Sequence, residues 1–94
     1  MHEQNSENIV EKLTAEKAGE VLNGKVKMAV LDMLKRKGPS SFGDIIRNLG
    51  VSQPAGTNHI LELKLLGLIE KSVDPPNFNI NAGRYEMLLR HRNE

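Results

Sequence analysis

Apolar positions recur at helical spacing along most of the chain and alternate only toward its end. From Ser6 onward, Ile9, Val10, Leu13 and Val21 make a broad apolar stripe that stops at Asn23-Gly24, which predicts a helix over that stretch. The stripe is too thin for a free-standing helix, so it must lie on its own domain or on a second copy of the chain. Residues 1–5 carry no pattern and are expected to be loose. Lys25 to Lys37 repeats Met28, Leu31 and Leu34 and is stopped by Gly38-Pro39. Leu68 to Val73 and Arg84 to Leu89 read as strands, the second because Tyr85, Met87 and Leu89 alternate with Arg84, Glu86 and Leu88. The stretch D-P-P-N-F-N-I-N-A-G between them is expected to form a wing, stiffened by Pro75 and Pro76 and returned by Gly83.

The chain is organised around Ser41 to Ile69. Ser41 can cap a short helix with Asp44 in the capping-carboxylate position, and Ile45, Ile46 and Leu49 give it a buried side. Gly50 supplies the left-handed geometry that ends it. Ser52 caps a second helix, Pro54 falls in its first turn where a missing amide costs little, and Gly67 closes it. This is a helix-turn-helix. At ~100° per residue, Ala55, Gly56, His59, Ile60, Leu63 and Leu66 share one side of the second helix. Pro54, Thr57, Asn58, Leu61, Lys64 and Leu65 share the other. Ala55 and Gly56 are small enough for a close crossing of the first helix. Gln53, Thr57 and Asn58 place short hydrogen-bonding groups at the opposite tip, where such side chains reach base edges in a major groove.

The run L-G-V-S-Q-P-A-G-T-N-H-I, followed by L-L-G-L-I, resembles the winged-helix domain of ArsR-type bacterial and archaeal repressors. The resemblance extends from Leu22 to about Leu89, with L-N-G-K-V-K-M-A-V-L-D-M-L matching the family's preceding helix. It implies a DNA-binding transcriptional regulator, and a leading helix that contributes to a homodimer. Departures are informative. Ser41 and Gly43 stand where metal-sensing members carry cysteines, and the chain has no cysteine, so sensing through that site is excluded. A basic residue is common in the family where Asn58 stands, so base preference does not transfer. Many members end in a further dimer-forming helix, which this chain is not expected to have.

Composition narrows the alternatives. Aromatic residues make up 3% of the chain, so the core must be built from Leu, Ile, Val, Met and Ala. No apolar run approaches the ~18 residues of a membrane span, and the start lacks a signal-peptide core, so a soluble cytoplasmic protein is expected. The net charge of +1 divides unevenly: residues 1–24 hold five acids against two bases, and residues 25–94 hold eleven bases against seven acids. An acidic arm thus precedes a mildly basic domain, a modest electrostatic footprint for DNA. Lys35-Arg36-Lys37 suits the negative end of its own helix dipole, a structural role favoured over phosphate contact. His59 lies mid-helix on the core side and is expected to be a hydrogen-bonded core histidine. No acidic partner stands at metal-ligand spacing, and no catalytic pair can be assembled.

The expectation is therefore a mainly α fold with a small β-hairpin, a winged helix-turn-helix. Residues 1–24 form an acidic helix and possible dimerisation arm, and residues 25–94 the double-stranded DNA-binding domain. Ser52 holds the recognition helix, about 52–66, with Pro54 in its first turn, while Gln53, Thr57 and Asn58 read bases. Ser41, Lys64 and Arg84 are the expected phosphate contacts, which set position without reading sequence. Ile9, Leu13, Leu61 and Leu65 are the expected dimer or partner contacts, the last two as an apolar stripe covered by the N-terminal helix or by a partner. The wing either rests beside the minor groove through Asn77, Asn79 and Arg84 or folds back through Phe78 and Ile80, the second being favoured. No metal, cofactor, catalytic residue or membrane contact is expected. The alternative function is a winged helix that docks protein rather than DNA.

Overall fold

A computed structural model describes residues 11–92. The elements run α1 (Ala15–Leu22), α2 (Lys25–Lys37), α3 (Phe42–Leu49), α4 (Gln53–Leu65), β1 (Ile69–Lys71), β2 (Phe78–Ile80) and α5 (Ala82–Arg92). The chain is mainly helical, with a two-stranded antiparallel hairpin that pairs Ile69 with Ile80 and Lys71 with Phe78. Between α2 and α3, Ser40 makes an isolated bridge to Phe78, its N–H donating to the Phe78 carbonyl (2.9 Å) and its carbonyl accepting from the Phe78 N–H (2.7 Å).

Local chemistry sets the helix ends. Thr14, Ser41 and Ser52 accept from the backbone N–H groups of Lys17, Asp44 and Ala55, satisfying first-turn donors that have no partner within the helix. Gly50 stops α3 at φ 68°, a left-handed conformation that costs glycine little. The start expected at Ser6, and Ile9 and Val10 with it, lie outside the described residues; within them α1 begins only at Ala15. Leu13, expected at a dimer surface, lies instead in the chain's own core with Ala18 and Val21, beside Val30, Leu31, Leu34 and Leu88. The described part of the acidic arm is therefore packed on its own domain.

The expected strand from Arg84 to Leu89 is a helix. Asn81 caps it, its Oδ1 accepting from the Arg84 N–H at 3.1 Å. Tyr85 and Leu88, one helical turn apart, are its buried residues, so the 3.6-residue period prevails over the alternation of Tyr85, Met87 and Leu89. The chain thus carries the further terminal helix that was not expected of it. β1 pairs instead with Phe78–Ile80, and the turn between the strands is Ser72–Asn77, shorter than the expected wing. Phe78 is buried and Ile80 packs against the core, the fold-back arrangement. No helix among the described residues is long and apolar enough to cross a membrane.

Candidate functional site

Helix α4, which follows α3 across the Gly50–Ser52 turn, has two unlike sides. Gly56, Ile60 and Leu63 are buried against the core, while Gln53, Pro54, Thr57 and Asn58 are exposed at its N-terminal end. Gly56 permits the close approach of α3: a Cβ there would stand 2.0 Å from Cδ1 of Ile46 and 3.5 Å from Cγ2 of Val51. Ser52 Oγ, 3.3 Å from the Ala55 N–H, holds the first turn, and Pro54 sits within it. The tip that results displays side-chain amides of Gln53 and Asn58, each able to donate and accept at once, with the Thr57 hydroxyl between them. Such groups suit a base edge, and none of the three is engaged by the described residues.

The other expected site residues are spread more widely. Ser41 is half-buried and occupied as the cap of α3. Lys64 is exposed in the last turn of α4, away from the tip. Arg84 is not brought to the tip: its guanidinium donates to the Leu66 carbonyl (3.2 Å) and to the Glu11 carbonyl (3.5 Å), closing the C-terminal end of α4. Leu61 and Leu65 remain 51% and 49% exposed, and the Glu11 N–H ahead of α1 donates to the Leu65 carbonyl at 2.7 Å.

His59 is half-buried, and its Nδ1 lies 3.1 Å from the Lys27 ammonium. The same ammonium is 2.6 Å from Oε1 of Glu62. The hydrogen bond from Lys27 is the main reason the Glu62 carboxyl titrates below its ordinary value, with burial opposing. Tyr85 is shifted the other way, its phenol pushed up by burial. Lys27 was missed as the histidine's partner because the two lie on different helices and no local pattern links them. No group of three or more possible metal ligands occurs among the described residues. A cavity of about 200 Å³ beside Lys27 is lined by charges of both signs and by Val21, Leu65 and Leu66. It includes none of the tip residues.

The hairpin turn carries no cation. Val73 is 89% exposed beside Asp74, and the Asp74–Pro75 peptide is cis. Ser72 Oγ ties the turn by donating to the Pro75 carbonyl and accepting from the Asn77 N–H. Lys71, at its base, lies over the Phe78 ring at 5.8 Å. No protein-family model, curated protein or solved structure matches the chain.

Proposed function

We propose that this protein is a winged helix-turn-helix transcriptional regulator that binds double-stranded DNA as a homodimer in the cytoplasm, with α4 as the recognition helix. The observation that carries the reading is the exposed polar tip of Gln53, Thr57 and Asn58, projecting from a helix whose other side is locked into the core. The order α2, Ser40 bridge, α3, α4, hairpin agrees with a winged helix, as does the likeness of the Ser52–Ile69 run to ArsR-type repressors. Asn58 and adenine form a natural bidentate pair, and Gln53 offers the same chemistry beside it. Lys64 supplies a phosphate contact. Arg84, engaged with backbone carbonyls, serves structure instead.

A docking module is the second reading, favoured by the exposure of Leu61, Leu65 and Val73 and by the cation-free hairpin turn. Retention on a random duplex at low salt, repeated at higher salt, separates the two. A DNA-binding protein is retained and released along a steep salt slope, whereas a docking module is not retained at either concentration.

A further inference from the structure

Lys35-Arg36-Lys37 is the longest run of cations in the chain, and all three side chains are exposed at the end of α2. Their position suits the helix dipole. Yet among the described residues none of the three donates to a carbonyl of the last turn of α2, which is closed by the Gly38 N–H on the Leu34 carbonyl at 2.8 Å. Lys37 turns instead toward α3, where its ammonium lies 3.4 Å from Oδ1 of Asn48. The Asn48 amide is oriented by its own backbone, Nδ2 donating to the Asp44 carbonyl at 2.8 Å, which leaves Oδ1 for the lysine. No carboxylate of the described residues pairs with Lys37, whereas nearby Arg47 is taken up by Asp44.

Asn48 precedes the α4 cap, Ser52, by four residues. At ~3.3–3.6 Å per residue, the Lys37 ammonium therefore stands within about 20 Å of the recognition helix N-terminus, roughly half a turn of duplex. On the other side, the Ser40–Phe78 bridge fastens the end of α2 against the hairpin, whose turn holds Asp74 and no Lys or Arg.

We propose that Lys37, seated beside Asn48, is a phosphate-contact residue flanking α4, so that the duplex backbone is held from the α2–α3 side and not by the hairpin. This rests on the DNA-binding reading above. Lys35 provides an internal control, because at ~100° per residue it points to nearly the opposite side of α2 from Lys37. The test measures duplex affinity across a salt series for the full chain and for Lys37→Gln, Lys37→Arg and Lys35→Gln. Lys37→Gln should weaken binding to every duplex alike and reduce the slope of log affinity against log salt by about 0.9, the value for one lost phosphate contact. Lys37→Arg should keep the parent slope, as should Lys35→Gln. A parent slope in Lys37→Gln, or equal losses in Lys37→Gln and Lys35→Gln, would overturn the assignment while leaving DNA binding intact. Failure of the parent itself to bind at low salt would overturn the DNA reading, and this site with it.

Discussion

The Lys27 ammonium on α2 lies 2.6 Å from a carboxylate oxygen of Glu62 on α4, and the same cation reaches His59 one turn earlier. This pairing fastens the middle of α4 to α2 behind it, and the Lys27 side chain is only 17% exposed. Lys27→Ala should lower unfolding free energy by on the order of 1 kcal/mol, less than a buried charge pair because Glu62 remains open to water. Urea denaturation at neutral pH measures it, and an unchanged midpoint would mean that the contact adds nothing.

The same pairing predicts a pH dependence of defined sign. Glu62 titrates below its ordinary value of 4.5 in the folded chain. Its contribution is therefore complete above that value and is lost as pH falls through the lower folded pKa. At pH 7 the parent should melt above Glu62→Gln, and the gap should close as pH falls below 4.5 and through the lowered folded pKa. A gap that persisted or widened in acid would contradict the assignment.

Glycine to alanine should act in opposite directions at two positions with equal room. A Cβ at Gly19 or at Gly50 would meet nothing within 4 Å. Gly19 lies inside α1, so Gly19→Ala should stabilise by roughly 0.5–1 kcal/mol. Gly50 holds φ 68°, so Gly50→Ala should destabilise by about 1 kcal/mol through backbone strain alone. Thermal melts of the two variants provide the comparison.

The parts of the fold that were legible in the sequence are those specified by neighbours a few residues apart. Ser41, Gly50 and Ser52 announce the ends of α3 and the start of α4 by capping and by left-handed geometry, and the ~100° period sorts Gly56, Ile60 and Leu63 from Thr57 and Asn58. The segment from Phe78 onward was misread because Tyr85, Met87 and Leu89 fit a strand while Tyr85, Leu88 and Leu89 fit a helix. The Asn81 cap, and the pairing of Phe78–Ile80 with β1, decided between them. Arg84 at the Leu66 carbonyl and Lys27 at His59 are tertiary meetings that no local spacing announces.

Leu61 and Leu65 give the proposed homodimer a test. Both are about half exposed in the single chain, so glutamate at each should change monomer stability by no more than about 0.5 kcal/mol. If a second copy covers the stripe, light scattering should find the parent dimeric and Leu61→Glu/Leu65→Glu monomeric. A variant with the oligomeric state of the parent would remove the stripe from any dimer interface.

The central claim is that Asn58 and its neighbours at the start of α4 read a base sequence. The most direct measurement is selection of bound sequences from a random duplex pool, run in parallel with the parent and Asn58→Ala. The parent should enrich a defined motif, and Asn58→Ala should lose discrimination of ~1–3 kcal/mol at one position, an adenine, while still binding duplex. Enrichment of the same motif with the same preference by both proteins, or of no motif by the parent, would contradict it.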